Sequence, residues 1–349
     1  MSFLAKKVPF FALTTAGLEA LSAQEIALLP HVDVKTLSYR RVSATCSGPL
    51  EALLSLRTVD DVFLEVATWT DIGRPRKSLE RLCCLGARLD LHAAAACCAQ
   101  LRPVRTPPRF SITASFVGKR NYTSEEIKTL LAHEIEKTHG WTYQQDDRAA
   151  DLNVRVFLEH EVAIVGVRVG KVALHDRWYQ QAHLPGALKP SVAAALVLLV
   201  QAMPGTVVLD PCCGSGTILI EAALQGARIC GGDSSRLALA AARANISAAG
   251  IEACVQCWDA QALPLAGASI DRVICNLPWG RQVCVEETLA TLYRRIMTEM
   301  RRVLAPGGQV ALLTTAPQEI DLLDFRIVQK LEISLFGQRP TILVLSHPA

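Results

Sequence analysis

The C-terminal half of the chain repeats one pattern of apolar and polar positions. A short β-favouring apolar run is followed by a turn and then by apolar residues at helical spacing. In the first repeat, Val207–Leu209 run into Asp210, and a turn containing Gly214 and Gly216 leads into a helix. Strands that alternate with helices in this way predict an open α/β sheet.

The same pattern continues to the end of the chain. A buried helix is expected at Ser191–Ala202, and Ser234 is expected to cap a later helix that stops at Gly250. The last two strands are separated by so short a turn that they must be antiparallel. We predict strands at 207–210, 228–232, 253–258, 271–275, 309–314, 326–336 and 341–346. A parallel sheet that finishes in such a hairpin resembles the class I S-adenosylmethionine-dependent methyltransferases.

The N-terminal half reads as an α+β region. A strand near 10–15, a helix near 17–26, a strand at 37–46, a helix at 49–56 and a strand at 62–69 are predicted. A further strand at 110–116, a helix capped by Ser124 and running to about His139, and strands at 152–159 and 161–169 follow. Residues 171–189 lack periodicity, so we place the interdomain connection there.

Charge is distributed unevenly between the halves. The chain carries a net charge of +3, and residues 1–189 hold the basic excess. No acidic residue occurs from Leu91 to Thr123, a stretch that suits either a phosphate backbone or a solvated basic face. Its basic residues are Arg102, Arg105, Arg109, Lys119 and Arg120.

Twelve cysteines raise the question of compartment and metal binding. No signal-peptide pattern precedes them, and the longest apolar run, Val192–Val200, is too short to span a bilayer. We therefore expect a reduced, cytoplasmic protein with no membrane association. Cys254 and Cys257 have a metal-like spacing, but strand residues three apart point to opposite faces, so no metal site is predicted.

Four polar residues fall at the carboxyl ends of four consecutive predicted strands, where ligands bind in open α/β sheets. These residues are Asp210, Asp233, Asp259 and Asn276. The loop after Asp210 lacks the third glycine of a dinucleotide fingerprint, because Leu219 stands there, so pyrophosphate binding is poorly supported. In a methyltransferase, this loop would lie by the methionine part of the cofactor, Asp233 by the ribose, and Asp259 with the Ala260 amide by the adenine.

The stretch Asn276-Leu277-Pro278-Trp279 is the catalytic candidate. An exocyclic amine on a nucleobase is a poor nucleophile, because its lone pair is delocalised into the ring. The Asn276 oxygen and the Leu277 carbonyl can accept both N–H bonds and aim the lone pair at a methyl group. Pro278 stiffens the turn, and Trp279 offers a face on which the base can stack.

Together, Asp-Pro-Cys-Cys-Gly-Ser-Gly-Thr at 210–217 and Asn-Leu-Pro-Trp-Gly-Arg at 276–281 resemble the THUMP-domain RNA guanine-N2 methyltransferases, which methylate position 6 of tRNA. The segment His183–Ser191 is similar to the one that opens the family's methyltransferase domain and touches the cofactor. The resemblance implies these cofactor contacts: Leu188, Pro190, Asp210, Cys212, Gly214, Ser215, Gly216, Thr217, Asp233, Ser234, Asp259, Ala260 and Asn276. It implies RNA contacts at Arg281 and at the basic residues of the acid-free stretch.

The resemblance further implies a ferredoxin-like module at 1–65, a THUMP domain at 66–170, a linker at 171–184 and a Rossmann-like class I methyltransferase domain at 185–349. The expected activity is methylation of a guanosine N2 in tRNA with S-adenosylmethionine, by a monomer without an obligate protein partner. Alternatives are an amino methyltransferase acting on rRNA or DNA adenine, and a non-catalytic RNA-binding protein. A uracil-C5 methyltransferase would need a reactive cysteine, and Cys275 is expected to face the other side of the sheet.

Overall fold

The computed structural model describes residues 7–253, 255–279 and 288–348 of the chain. No helix within these ranges is long and apolar enough to cross a membrane. Every cysteine among the same residues is a free thiol. Cys254, half of the spacing discussed above, lies outside them, and no group of three or more His, Cys, Asp or Glu residues in the described part of the chain is placed to hold a metal ion.

Two compact units make up the chain. The N-terminal unit comprises Met1–Thr14 and Glu19–Leu174, and the C-terminal unit comprises Thr15–Leu18 and His175–Ala349. The finer domain boundaries expected from the sequence stay predictions.

The described strands of the N-terminal unit belong to one sheet. They are β1 (Val8–Thr14), β2 (Val32–Ser38), β3 (Arg41–Cys46), β4 (Val59–Trp69), β5 (Arg109–Phe116), β6 (Thr142–Tyr143), β7 (Leu152–Glu159) and β8 (Val162–Arg168). Their order is β2-β3-β1-β4-β8-β7-β5-β6. Strand β5 is parallel to β6 and β7, and the other neighbours are antiparallel.

Helices of this unit share one hydrophobic core with the sheet. They are α1 (Glu19–Ala27), α2 (Ser78–Gly86), α3 (His92–Leu101) and α4 (Ser124–His139), with a short 3₁₀ helix at Leu50–Ser55. Along β7, Val154, Val156 and Leu158 enter that core, whereas Asn153 and Arg155 alternate with them, as the pleat of a strand requires.

Two local predictions in this unit were wrong. The strand expected at 37–46 is a hairpin of β2 and β3, turned at Arg40 with a φ of +59°. The cap of α4 is Thr123 rather than Ser124. Its side chain accepts the Glu126 N–H, and the Glu126 carboxylate accepts the Thr123 N–H in a capping box.

The C-terminal unit confirms the predicted fold class. Its strands are β9 (Val207–Asp210), β10 (Arg228–Asp233), β11 (Val255–Cys257), β12 (Ile270–Asn276), β13 (Leu304–Thr314), β14 (Arg326–Glu332) and β15 (Thr341–Ser346). They form a sheet in the order β11-β10-β9-β12-β13-β15-β14. All described pairs are parallel except those of β15, which is antiparallel to both neighbours, as the closing hairpin predicted.

The helices of this unit are α5 (Pro190–Leu199), α6 (Thr217–Leu224), α7 (Arg236–Ala248) and α8 (Leu289–Val303), and a 3₁₀ helix lies at Pro317–Glu319. Helix α5 precedes the first strand of this unit, and α6, α7 and α8 connect its parallel strands. Helix α7 begins one residue later than expected, because Ser235 rather than Ser234 accepts the Ala238 N–H. This connectivity brings the carboxyl ends of β9, β10, β11 and β12 to one rim of the sheet.

Candidate active site

A cavity of about 890 Å³ opens at this rim. It brings together most of the site residues expected from the sequence. Those that line it are Leu188, Asp210, Cys212, Gly214, Ser215, Thr217, Asp233, Ser234, Asp259, Ala260, Asn276, Leu277, Pro278 and Trp279.

Two expected cofactor contacts do not line the cavity. Pro190 is buried at the first position of α5, and Gly216 is the N-cap of α6, so neither lines the cavity. Gly216 has a φ of +81°, and a Cβ there would lie 3.3 Å from that of Ala242, so glycine suits both its backbone and its packing. Arg281 lies outside the described residues.

Asp210 ends β9 at the base of the cavity and is only 1% exposed. Its Oδ1 accepts the Cys212 N–H at 3.2 Å. Burial raises the pKa of Asp210 well above its ordinary value, and the negative charge of Asp233 adds to this effect. No cation among the described residues pairs with Asp210, and an opposite charge nearby would favour its ionised form, so the site suits a positively charged ligand.

Asp233 organises the loop that follows β9. Its Oδ2 accepts the Gly214 N–H at 2.9 Å, and its Oδ1 accepts the Ser235 N–H at 2.9 Å. Each carboxylate oxygen has two lone pairs, so the group can still accept a ligand hydroxyl. Asp233 therefore shapes the loop as well as facing the cavity, which the sequence did not indicate.

The start of α6 offers donors to an anionic ligand group. No side chain caps this helix, and its first N–H groups have no intrahelical acceptor. From beneath, the indole N–H of Trp258 donates to the Pro211 carbonyl at 3.0 Å and holds the loop in place. Asp259, at the far side of the cavity, is exposed, and its Oδ1 accepts the Gln261 N–H at 2.9 Å.

The Asn276–Trp279 turn is held from two sides. The Leu277 N–H donates to the Leu313 carbonyl at 3.0 Å. The Tyr293 hydroxyl, on α8, donates to the Pro278 carbonyl at 2.8 Å. Tyr293 is fully buried, and burial raises its pKa, so it remains a neutral donor. Sequence reasoning missed Tyr293, because an aromatic residue on an amphipathic helix looks like ordinary core.

The segment before α5 is anchored by two buried polar side chains that the sequence analysis also missed. Glu221 on α6 accepts from Arg177 Nε at 3.1 Å and from the Tyr179 hydroxyl at 2.7 Å. Asn245 on α7 accepts the Gln181 N–H at 2.9 Å and donates to the Ser215 carbonyl at 3.0 Å. These bonds position the residues that lead into the cavity wall at 184–188.

The turn of the terminal hairpin completes the cavity. Leu335, Phe336 and Gln338 line it, and Phe336 is 67% exposed with a φ of +51°. The Leu335 N–H donates to the Gln338 carbonyl at 3.0 Å, and the reverse bond is 2.9 Å. The turn thus presents the exposed ring of Phe336 to the cavity. This placement depends on the register of the folded hairpin.

Cys275 is not suited to nucleophilic catalysis. It is fully buried in the core between the sheet and α8, and it does not line the cavity. A hydrogen bond with the Cys212 thiol, together with burial, raises the pKa of Cys275 well above its ordinary value. Because the thiolate is the reactive form, this environment does not support uracil-C5 chemistry.

The predicted RNA contacts of the N-terminal unit fall into two groups. Arg102 donates to the Asp151 and Val169 carbonyls, and Arg120 donates to the carbonyls of Ile72, Gly73 and His160. Both guanidinium groups are therefore structural. By contrast, Arg109 and Lys119 are exposed. Arg105 is 58% exposed, although it pairs with Asp151 at 2.9 Å.

Sheet order, terminal hairpin and rim together define a class I methyltransferase fold with a ligand cavity beside an Asn-Leu-Pro-Trp turn. Residues 177–326 match the family model of the RMKL-like methyltransferase domain. This match shows a methyltransferase domain within the C-terminal unit.

Curated relatives have defined activities. The tRNA (guanine(6)-N2)-methyltransferase of Thermus thermophilus is 33% identical over 217 residues, which cover 60% of this chain and 62% of that protein. The human U6 snRNA (guanine-N(2))-methyltransferase THUMPD2 is 31% identical over 212 residues, which cover 60% of this chain and 40% of that protein. The matched region thus spans less than two thirds of each relative.

The fold is shared over nearly the whole chain with a solved structure. The crystal structure of TrmN from Thermus thermophilus superposes with a TM-score of 0.77 at 28% identity, covering 98% of this chain and all of that one. The match includes both units, so the predicted fold class is confirmed over nearly the whole chain.

Proposed function

We propose that this protein transfers a methyl group from S-adenosylmethionine to the N2 amine of a guanosine in tRNA, at position 6. The observation that carries the proposal is the cavity itself. It joins the Asp210 and Asp233 rim to the Asn276–Trp279 turn, so one volume can hold both a cofactor and an amine. The relatives that act on guanine N2 support the choice of base, and the Thermus thermophilus tRNA (guanine(6)-N2)-methyltransferase supports the choice of tRNA.

The residues present fit S-adenosylmethionine. Its positively charged methionine end suits the buried Asp210, its carboxylate suits the uncapped start of α6, and its ribose hydroxyls suit the Asp233 carboxylate. When bound, the cofactor supplies an electrophilic methyl group on a sulfonium.

The chain itself supplies position and desolvation. The Asn276 Oδ1 and the Leu277 carbonyl accept the two N–H bonds of the guanine amine and direct its lone pair towards the methyl carbon. With S-adenosylmethionine bound, transfer of its methyl group would break the carbon–sulfur bond as the N2–carbon bond formed, and the surplus proton of the amine would pass to water. No side chain needs to form a covalent bond.

We further propose that the exposed Arg109 and Lys119 hold the tRNA backbone, while the cavity selects guanine. The acid-free stretch that contains them supports this division, and the net charge of −1 over residues 190–349 offers little attraction for a polyanion. In this proposal the protein acts as a monomer in the cytoplasm.

Mass spectrometry of nucleosides tests the proposal directly. The protein is incubated with labelled cofactor in four separate reactions, which contain tRNA, U6 snRNA, rRNA or DNA. We expect labelled N2-methylguanosine in tRNA, mapped by fragment analysis to position 6. The Asn276→Ala variant serves as the control, with turnover lowered by roughly a hundredfold and cofactor affinity nearly unchanged. Methylation of adenine, or of another RNA in preference to tRNA, would overturn the assignment.

A further inference from the structure

The edge of the Trp279 indole contacts Asn276, while its face is available for stacking with a base. The indole Nε1–H donates to the Asn276 Oδ1 at 3.1 Å. Within the described residues, no other hydrogen bond reaches the Asn276 side chain. The orientation of this amide therefore depends on Trp279.

An asparagine amide has two ends with opposite properties. Its oxygen accepts hydrogen bonds, its nitrogen donates them, and rotation about χ2 exchanges the two. If the nitrogen faced the target amine, donor would meet donor and the amine could not be held. An indole N–H is only a donor, so it stabilises the orientation in which the oxygen lies next to it.

The same oxygen can serve both groups. A carbonyl oxygen has two lone pairs, so Asn276 Oδ1 can accept the indole proton and still accept a proton of the substrate amine. The backbone of the turn is already held by the bonds from Leu277 to Leu313 and from Tyr293 to Pro278. Rotation of the side chain is therefore the freedom that the indole bond removes.

We infer that Trp279 is a positioning residue, which fixes the Asn276 amide with its oxygen towards the amine of the substrate. The inference rests on the proposed function and adds to it, since stacking alone would need only an aromatic ring. It predicts that the N–H of Trp279 contributes to turnover separately from the indole surface.

Replacement of Trp279 by 3-benzothienylalanine tests this contribution. The substitute keeps the size and the aromatic face of the indole, but sulfur replaces the N–H. Single-turnover methylation of tRNA at saturating RNA and cofactor should slow by roughly three- to tenfold, the worth of one hydrogen bond. Affinities for both ligands should stay within about twofold. An unchanged rate would overturn the inference.

A double-mutant cycle separates orientation from shape. In an Asn276→Asp background both side-chain oxygens are acceptors, so the orientation no longer has to be selected. The benzothienyl replacement should then slow the reaction by less than about twofold, if the two residues are coupled as proposed. Equal slowing in both backgrounds would show that the indole acts by shape, and the inference would be wrong.

An NMR measurement on the protein without substrate tests the hydrogen bond between Trp279 and Asn276 independently of activity. The indole N–H resonance of Trp279, assigned with a Trp279→Phe variant, should move upfield in Asn276→Ala because the bond is lost. A resonance that does not move would contradict the inference. Absence of N2-methylguanosine with the unaltered protein would instead overturn the proposed function, so the two failures are distinguishable.

Discussion

The carboxylates of one cluster in the N-terminal unit and those at the strand ends of the C-terminal sheet differ in whether a cation compensates their charge. In the N-terminal unit, Arg168 is 8% exposed on its side chain and lies between the buried Asp61 and the partly exposed Asp147. Its Nε donates to Asp61 Oδ2 at 2.6 Å, and its Nη1 donates to Asp147 Oδ2 at 2.5 Å. Asp147 also accepts from Ser111 and Asn153. Here buried charge is compensated, which is the condition for keeping it in a folded core.

In the C-terminal unit, the carboxylates at the strand ends have no such compensation. Asp210, Asp233 and Asp259 form no ion pair with any residue that the structure describes, and they face a cavity. Their protein partners are chiefly backbone N–H groups. The difference shows how a structural cluster is told from a site: both concentrate polar groups, but only the second leaves their charge for a ligand.

The largest effect should follow from breaking the compensated cluster. Arg168→Met keeps much of the volume but removes the cation between two carboxylates, one of them buried. We expect the free energy of unfolding to fall by about 3–5 kcal/mol, measured by denaturant unfolding of the full chain. The exposed pair of Lys35 and Asp33 is the matched control, since Lys35→Met should change stability far less than Arg168→Met does. Equal effects would contradict the distinction.

The same cluster predicts a dependence on pH. Burial by itself raises the pKa of Asp147, but hydrogen bonds from Ser111 and Arg168 outweigh burial, so the pKa is lowered. A carboxyl group whose pKa is lowered on folding contributes stability above the unfolded value, about 3.9, and loses it as pH falls through the folded value. Arg168→Met should flatten this acid-side loss of stability.

Substitution of the uncompensated carboxylates at the rim should instead lower the affinity for the cofactor. Asp233→Ala removes the acceptor for the proposed ribose and releases the Gly214 loop, so calorimetry should show cofactor affinity lowered by roughly ten- to a hundredfold. The exposed Glu252→Ala change in the same unit should leave affinity unaltered. If Asp233→Ala bound the cofactor normally, this carboxylate would not belong to the site.

Asp210 should link cofactor binding to a proton. Because burial raises its pKa, the free protein holds a proton there to higher pH than an ordinary aspartate, and a cationic ligand would favour its release. Affinity should therefore rise with pH, by up to about tenfold per unit, below the pKa of the ligand's amino group near 7.7. Asp210→Asn should abolish the rise, and calorimetry in buffers of different ionisation enthalpy would count the protons.

Sequence patterns were sufficient to predict the polar residues at the rim of the sheet, but not the buried residues that hold the neighbouring loops in place. Strand ends could be predicted because each apolar run stops at one polar residue, and the topology of parallel sheets gathers those ends. Asn245 could not be assigned a role, since its partners Gln181 and Ser215 lie 64 and 30 residues away in the chain. Tyr293 could not, since an aromatic residue on an amphipathic helix looks like ordinary core. A signal was available for Glu221, a lone acid in an apolar helical run, but its partner Arg177 is 44 residues upstream.

Local misassignments have equally specific causes. The turn between β2 and β3 has Arg40 in the left-handed region, so the glycine or asparagine that usually marks such a turn is missing. Thr123 and Ser124 can both cap a helix, and only the spacing to Glu126 decides for Thr123, because the third helical residue after it is the acid.

The smallest effect should come from the surface proposed to hold RNA. There, basic residues bonded to the protein can be compared with basic residues that are available to a ligand. Arg109 and Lys119 are exposed, whereas Arg102 and Arg120 are used by backbone carbonyls. Arg109→Ala with Lys119→Ala should weaken tRNA binding several-fold, alike for different tRNA species. It should also lower the slope of log affinity against log salt by nearly one unit per lost phosphate contact.

Arg120→Ala should lower stability and leave that slope unchanged, because its donors are not available to phosphate. Filter binding over a range of salt, with unfolding measured in parallel, separates these outcomes. A reduced slope for Arg120→Ala at full stability would place the RNA elsewhere on the unit, on groups that the structure uses for its own backbone.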